Sequence, residues 1–276
     1  MTVCIALVAG GGRHGKIVTC YDTLASSSLG TKSIMLKDRA VGFDWRCLTA
    51  GNEEEINAFV PLLSASMMQA KELDEVTAVP LIQDVLKKRK TQLADELTLS
   101  KWGLSFQEFR QSRAQFPDQI YQQHFDEVQR LPLRAEFIVT GFQKTKGVSY
   151  GPMMIVVRSD WSVSIQEDFC AIGEGSYLAT ASLMRRHYSD VKAINFGIYC
   201  AYEAKKYAES VPSVGTTTGL AIYSSDGPDK TINSGGFAEL DKLFSAYGPR
   251  DVEADLNLKA KMNVWSGDKF KIEGEN

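Results

Sequence analysis

The sequence lacks the long apolar run that a membrane-spanning helix requires. Such a helix takes about 20 consecutive apolar residues, and no apolar stretch among these 276 residues approaches that length. The apolar run at the N-terminus is about eight residues long, has no basic leader and ends in glycines, which makes it a poor signal peptide. We therefore expect a cytoplasmic protein that has no membrane partner.

Metal-ligating and redox-active side chains are also scarce. The sequence has three histidines, all far apart, which argues against a histidine-based metal site. No pair of cysteines has the CxxC spacing, so the cysteines are interpreted as reduced, buried, small hydrophobic residues. They are Cys4, Cys20, Cys47, Cys170 and Cys200. The sequence predicts no metal and no cofactor.

There is no excess of positive charge. Lysine and arginine number 31 against 34 acidic residues, for a net charge of −3. Such a balance favours neither a nucleic acid nor an anionic membrane as a partner. Apolar residues make up 44% of the chain and charged residues 24%, which is ordinary for a globular protein with a substantial core.

Strand and helix patterns alternate along the chain in blocks. The first third reads as strands, and a helix opens at Gly51-Asn52, where Glu53–Glu55 suit the first turn. Helical periodicity continues over residues 74–130, strands return, and two further helices, a strand and a last helix follow. The predicted strands are Thr2–Ala9, Lys16–Tyr21, Ser33–Leu36, Arg46–Ala50, Ala135–Phe142, Met153–Val157, Trp161–Ile165 and Thr216–Tyr223. Ser33–Leu36 and Arg46–Ala50 are expected to pair with each other around a polar turn. This order predicts a layered α/β fold, an αββα sandwich with two antiparallel sheets between helix pairs.

A glycine run between the first two strands resembles a phosphate-binding loop. Gly10-x-x-x-x-Gly15-Lys16 fits most of the Walker A pattern. However, Ile17 stands where that motif needs a serine or threonine for Mg²⁺. The residues after Lys16 read as a strand, so no helix N-terminus would face a phosphate. A hairpin turn is the favoured interpretation, with nucleotide binding as the minor alternative.

Thr2 follows the initiator methionine directly. Methionine aminopeptidase usually removes Met1 before so small a residue, which would leave a free α-amine on a hydroxyl-bearing residue. Such a residue carries a nucleophile and a base together, because the amine, with a pKa near ~8, can take the hydroxyl proton. Threonine after methionine is common, so its meaning depends on the residues around it.

Several stretches, in order, resemble the proteasome β-subunit family of N-terminal-nucleophile threonine peptidases, including the bacterial proteasome-type peptidases. The resemblance covers roughly residues 2–70 and 135–225. It rests on Lys16–Asp22, Gly30–Ile34, Thr49–Gly51, Phe137–Phe142 and Phe169–Ala179.

The resemblance implies a catalytic role for each of six residues. Thr2 would attack a peptide carbonyl, Lys32 would supply a positive field, and Asp22 would orient that ammonium. The Gly51 N–H would donate to the oxyanion. By the same resemblance Ser176 and Ser213 support the nucleophile. Three of these residues also have a plainer explanation: Asp22 as a turn residue, Gly51 as a loop glycine before a helix, and Ser176 as a helix start.

The lysine is the least secure of these assignments, since Lys37 competes with Lys32. The segment from Asp22 to Lys32 is shorter than the family usually has. Three further departures affect the surrounding positions, namely Leu24 after the aspartate, Glu174 in place of a serine, and Ser210 in place of an aspartate. They leave open a second hypothesis, a catalytically silent scaffold or binding subunit with the same fold.

The resemblance further implies a homo-oligomer, ring or helical, that acts on peptides or unfolded proteins. We expect one domain over residues 1–276, with a helical insertion at about 74–130 and a C-terminal extension at about 249–276. Either added segment could form a subunit contact. The sequence identifies neither the natural substrate nor an ATP-dependent unfoldase partner.

Overall fold

The computed structural model describes residues 2–26, 32–34, 37–70, 72–145 and 148–248. The expected C-terminal extension at 249–276 lies outside the described residues. Part of the 24–36 segment, which the sequence analysis assigns to the catalytic lysine, is also outside them.

The first sheet contains both strands of the N-terminal hairpin. Strand β1 (Cys4–Ala9) pairs antiparallel with β2 (Lys16–Asp22), and a single 3₁₀ turn at Gly12–His14 lies between them. The glycine run therefore belongs to a strand–turn–strand unit, as the hairpin interpretation predicted. Strands β3 (Leu24–Ser26) and β4 (Lys32–Ile34) form a separate two-stranded ribbon.

The second sheet is built from five consecutive antiparallel strands in the described part of the chain. They are β5 (Asp38–Gly42), β6 (Trp45–Gly51), β7 (Ala135–Thr145), β8 (Val148–Val157) and β9 (Val163–Gln166), in that spatial order. The first sheet has the order β10-β1-β2-β11-β12, with β10 (Phe169–Ile172), β11 (Thr218–Tyr223) and β12 (Lys230–Thr231).

One strand pairing differs from the sequence-based expectation. The expected pair joined Ser33–Leu36 to Arg46–Ala50, but β6 pairs with β5, and β4 pairs with β3. The sequence reading missed β5, because its residues Asp38-Arg39-Ala40-Val41-Gly42 give only a weak apolar alternation.

Seven α-helices complete the described structure. Their bounds are α1 (Glu53–Gln69), α2 (Glu75–Leu93), α3 (Phe106–Gln111), α4 (Asp118–Gln129), α5 (Ser176–Arg185), α6 (Ile194–Ala208) and α7 (Ser234–Tyr247). Helix α1 begins where the sequence predicted, with the Asn52 side chain accepting the Glu55 N–H at 2.9 Å.

Three apolar clusters define the layers. Alternate residues of β1 divide between two of them: Ile5 and Leu7 face helices α5 and α6, whereas Cys4 and Ala6 face the second sheet. A third cluster joins the outer face of the second sheet to α1 and α2. The arrangement is helices, sheet, sheet, helices, which confirms the predicted αββα sandwich.

The helical segment at 74–130 has two parts. Helix α2 packs with α1 on the second sheet through Ile82 and Val85, so it belongs to the helix layer. The remainder, residues 94–129, has a small apolar cluster of its own that includes Phe109 and Val128. No helix among the described residues is both long and apolar enough to cross a membrane.

Candidate active site

The turn at Gly173–Gly175, between β10 and α5, holds Thr2 in place just before β1, and we call it the glycine turn. The Gly175 N–H donates to the Thr2 carbonyl at 3.4 Å. Gly173 adopts φ +86°, and a Cβ added there would lie 2.3 Å from the Thr2 carbonyl oxygen. Only glycine permits this approach. The result is a Thr2 residue that is 3% exposed at the end of the sandwich.

Asp22 ends β2 directly beside Thr2 and is fully buried. Its Oδ1 accepts the Val3 N–H at 3.0 Å, and its Oδ2 accepts the Gly215 N–H at 3.1 Å. The Thr2 hydroxyl also donates to Oδ1. Backbone N–H groups on both oxygens fix the orientation of the carboxylate.

The lysine at this site is Lys37, which immediately precedes β5. Its ammonium donates to the Thr2 hydroxyl oxygen and, at 2.7 Å, to Asp22 Oδ1. The Lys37 carbonyl accepts the Thr49 N–H at 3.0 Å, which fixes its backbone against β6. Since the residue is only 5% exposed, its charge needs a partner such as Asp22.

The structure therefore gives Lys37 the place that the sequence analysis assigned to Lys32. The backbone of Lys32 begins β4, in the separate ribbon, and its side chain lies outside the described residues. Among the described residues, Lys37, next to β5, is the lysine that contacts Asp22 and Thr2.

Gly51 ends β6 and opens into α1. It adopts φ +117°, and a Cβ there would lie 2.6 Å from the Arg134 carbonyl oxygen, so the position demands glycine for conformational reasons alone. Thr49, two residues earlier, bonds to the Lys37 backbone, which ties the end of β6 to the site. No contact between Gly51 and Thr2 is recorded among the described residues, and its oxyanion role stays a prediction.

The two predicted serines lie on different elements that both contact the turn at Gly173–Gly175. Ser176 is the first residue of α5, and its N–H donates to the Gly173 carbonyl at 3.0 Å. The Ser213 hydroxyl donates to the Glu174 carboxylate, which links the glycine turn to the loop before β11. Neither serine side chain has a recorded bond to Thr2 in the described structure, so their supporting roles also stay predictions.

The sequence analysis missed a buried polar cluster next to Lys37. Asp38 is 1% exposed and accepts the Thr19 hydroxyl at 3.1 Å, the Arg46 Nε at 3.0 Å and the Tyr223 hydroxyl. Burial and the nearby Asp38 carboxylate raise the pKa of Tyr223, which keeps the phenol protonated as a donor. The cluster connects β5 to the first sheet. Its only sequence signal is a charged Lys-Asp pair at a strand start.

A second missed contact crosses between the sheets. Glu136, on β7, accepts the Gly173 N–H at 2.9 Å. Since Gly173 is the residue packed on the Thr2 carbonyl, this carboxylate helps to fix the turn. No local pattern points to this contact, because Glu136 lies in an ordinary strand pattern.

The region around Thr2 also contains the buried thiol of Cys4, which donates to the Thr49 carbonyl at 3.4 Å. Burial raises the pKa of Cys4, although the Lys37 ammonium opposes that shift. Cys4 is therefore a neutral packing residue. Within the described part of the chain, no cluster of three or more His, Cys, Asp or Glu residues could hold a metal ion.

Comparisons with known proteins place the fold. This chain is similar to the solved structure of Anbu (ancestral beta-subunit) from Yersinia bercovieri, with a TM-score of 0.59 and 12% identity over 96% of this chain and 97% of that one. It is also similar to an Anbu (Gly-1) mutant from Hyphomicrobium sp. strain MC1, with a TM-score of 0.60 and 16% identity over 98% of both chains. No protein-family model and no curated protein matches.

These findings correct the resemblance drawn from the sequence. The structural neighbours are Anbu proteins, which have a proteasome-like fold but form a distinct family. Assignment to the proteasome β-subunit peptidases was wrong, since no family model or curated relative supports it. At 12–16% identity the likeness shows the fold alone.

Proposed function

We propose that this chain is a proteasome-fold subunit in which Thr2, freed by removal of Met1, is the nucleophile of an amide hydrolase. One observation carries the proposal. A buried lysine ammonium, that of Lys37, lies between the Thr2 hydroxyl and the Asp22 carboxylate. Burying a charged pair costs desolvation free energy. Such a pair has a use in catalysis when the ammonium also contacts a hydroxyl nucleophile and can activate it.

The reaction divides into acylation and hydrolysis. The Thr2 Oγ attacks the substrate carbonyl carbon while its proton passes to the free α-amine of the same residue. The Lys37 ammonium stabilises negative charge on Oγ, and Asp22 keeps that ammonium in place. The α-ammonium then protonates the leaving amine as the C–N bond breaks. Water hydrolyses the resulting ester on Oγ, with the α-amine again as the base.

The Gly51 N–H is assigned to the oxyanion in this scheme. Removing one such donor in a comparable site costs about 3–4 kcal/mol. While Met1 is present, the Thr2 nitrogen is an amide and cannot serve as the base. The hydroxyl proton then has the Asp22 carboxylate as its acceptor, as the contact between these side chains illustrates.

A catalytically silent proteasome-fold subunit is the second candidate. The comparisons favour it slightly, because they support the fold and the fold is all that a scaffold requires. Two sequence departures agree with it, since Glu174 and Ser210 replace the residue types that support the nucleophile in the proteasome β-subunit pattern.

A tagged precursor separates the two candidates. A cleavable N-terminal tag is placed directly before Thr2, and hydrolysis of fluorogenic peptides is measured on the same preparation before and after the tag is cut. The proposal predicts activity only after cutting, together with a boronate or β-lactone adduct that mass spectrometry maps to Thr2.

The matched control is the same tagged chain with Thr2→Ala. Cutting should leave this control inactive and unlabelled. If the cut parent is folded, begins at Thr2, and still gives neither hydrolysis nor an adduct, the silent-subunit candidate is the correct one.

The substrates that we propose are peptides or unfolded proteins, handled by a homo-oligomer of at least six subunits. Residues 94–129 provide one surface for assembly, since Trp102 is 56% exposed there and Leu97 and Ile120 are also exposed. A standard interface buries about 800 Å² per partner. Light scattering at low micromolar concentration tests this, and a stable monomer near 30.5 kDa would reject it.

A further inference from the structure

Lys205 is a fully buried lysine that the proposed reaction does not use. It lies in the last turn of α6, and its side chain is 0% exposed. Its ammonium donates to the Thr216 carbonyl at 2.9 Å and to the Glu209 carboxylate. Burying an ammonium costs desolvation free energy unless the group is paired and hydrogen-bonded, so we asked what the bonds of Lys205 hold in place.

Thr216 belongs to the loop that joins α6 to β11, residues 209–217, which we call the 209–217 loop. This loop reaches the candidate site at two points. The Gly215 N–H donates to Asp22 Oδ2 at 3.1 Å, and the Ser213 hydroxyl donates to Glu174 on the glycine turn that holds Thr2. The Lys205 bond to the neighbouring Thr216 carbonyl therefore anchors the loop one residue away from Gly215.

Packing between the loop and the glycine turn is equally close. Val214 is buried, and a Cβ added at Gly175 would lie 2.9 Å from a Val214 methyl group. At the end of the loop, the Thr217 carbonyl accepts the Thr23 N–H at 3.1 Å, directly after Asp22. A shift of the 209–217 loop would thus be felt by both Asp22 and the turn under Thr2.

We propose that Lys205 is a positioning residue that holds the 209–217 loop against Asp22 and so fixes the carboxylate that orients Lys37. Its effect on rate rests on the proposed hydrolase function, whereas its effect on the loop does not. Burial lowers the pKa of Lys205, and hydrogen bonding to Glu209 opposes that shift.

Lys206 provides a matched control for Lys205. It is the next residue of α6 and also pairs with Glu209, at 3.2 Å, and with Asp241 at 3.8 Å. Beyond Glu209, which begins the 209–217 loop, no bond from Lys206 to this loop is found among the described residues. Each of Lys205→Met and Lys206→Met removes one positive charge from α6 and one ion pair with Glu209. Only Lys205→Met also removes the hydrogen bond to the Thr216 carbonyl.

The experiment measures amide hydrogen exchange of the full-length protein by mass spectrometry, together with peptide hydrolysis after Met1 removal. In Lys205→Met we expect exchange in the 209–217 loop to rise about tenfold, the factor that corresponds to ~1.4 kcal/mol, while exchange in β1 and β7 stays unchanged. We expect kcat to fall about tenfold or more, with KM within about twofold. Lys206→Met should match the parent in both readouts.

Two results would overturn the proposal. One is loop exchange in Lys205→Met equal to that of the parent, and the other is an increase spread evenly over all segments, which would mean general destabilisation. If the parent shows no hydrolysis, the proposed function fails, but the exchange data still decide the role of Lys205. If Lys205→Met does not fold, Glu209→Ala replaces it. Loss of that carboxylate should raise loop exchange selectively by a smaller factor, and no change would reject the proposal.

Discussion

Two buried ion pairs of this molecule have similar depth but different surroundings. Lys37 and Asp22 are 5% and 0% exposed beside Thr2, and Arg186 and Glu203 are 3% and 0% exposed between α5 and α6. In the second pair, Arg186 Nε and Nη2 reach the two Glu203 oxygens at 2.7 and 2.6 Å. Burial of charge is thus common to both regions and does not by itself mark a catalytic site.

The difference lies in what else each cation touches. The guanidinium of Arg186 makes a bidentate pair with Glu203 and also donates to the Gly248 carbonyl at 3.1 Å. The Lys37 ammonium shares its protons between Asp22 and a hydroxyl oxygen. A reactive side chain within the ion pair, rather than the pair itself, separates a candidate catalytic centre from a structural brace.

Among the changes that test this comparison, Thr2→Ala should cause the largest loss of hydrolysis. The change removes the attacking oxygen and leaves the Lys37–Asp22 pair intact, so we expect hydrolysis to fall at least ~10⁴-fold. Peptide hydrolysis and circular dichroism measured on the same sample test this. Near-parent activity in a folded Thr2→Ala protein would remove Thr2 from the chemistry.

Lys37→Ala should be the next most damaging change to activity. Without the ammonium, Oγ loses its electrostatic stabilisation, and we expect a loss of about 10²–10³-fold in kcat/KM. Lys32→Ala is the matched control, and we expect it to stay within about twofold of the parent. A strong effect from Lys32→Ala with a mild one from Lys37→Ala would return the site to the lysine that the sequence analysis chose.

Arg186→Met should act on stability and leave the chemistry alone. It leaves the fully buried Glu203 carboxylate without its bidentate partner, and we expect a loss of about 3–5 kcal/mol in the free energy of unfolding. Arg185→Met, which removes a half-exposed side chain 3.5 Å from the same glutamate, should cost about 1 kcal/mol or less. Denaturant unfolding and the hydrolysis rate at low temperature are the two measurements. A rate loss in folded Arg186→Met would show that the brace and the site are coupled.

The smallest effect concerns the cysteines, which are all free and buried. Burial raises the pKa of Cys20 and of Cys170 from 9.0 to about 12. These thiols stay protonated in the folded chain but ionise in the unfolded one above pH ~9. The contribution of these two thiols to stability should therefore be constant below pH ~9 and fall as the pH rises from there toward 12.

Equilibrium denaturation across that pH range tests the sign. A thiol-specific reagent at pH 8 should react quickly only after denaturant is added. Fast reaction of the native protein would show that at least one thiol is not protected by burial.

The sequence predicted the layers better than it predicted the lysine. The αββα order could be predicted from strand and helix periodicities, because the spacing of apolar residues shows which faces of an element are buried. In β1, for example, Ile5 and Leu7 face the helices, whereas Cys4 and Ala6 face the second sheet. Strand β5 was missed because its apolar residues are few. Lys37 is placed by the start of β5, so missing this strand also hid the lysine that contacts Thr2 and Asp22.

Other parts of the site left no local signal in the chain. Asp38 is buried by contacts to Thr19 and Tyr223, and Glu136 reaches Gly173 across the two sheets. The partners in these contacts are 19, 185 and 37 residues apart in the sequence, respectively. Periodicity reports the face of an element but not which distant element covers it, so such contacts require the folded structure.

The glycine turn that seats the Thr2 carbonyl has a consequence for biosynthesis. Thr2 leaves the ribosome among the first residues, yet its contacts come from Asp22, Lys37 and Gly173, and Asp22 is itself held by Gly215. Because contacts so distant in sequence form late, the Thr2 hydroxyl is synthesised long before the site around it is complete. If Thr2 is the proposed nucleophile, it is therefore inactive in the nascent chain, and the site is assembled only after most of the chain has folded.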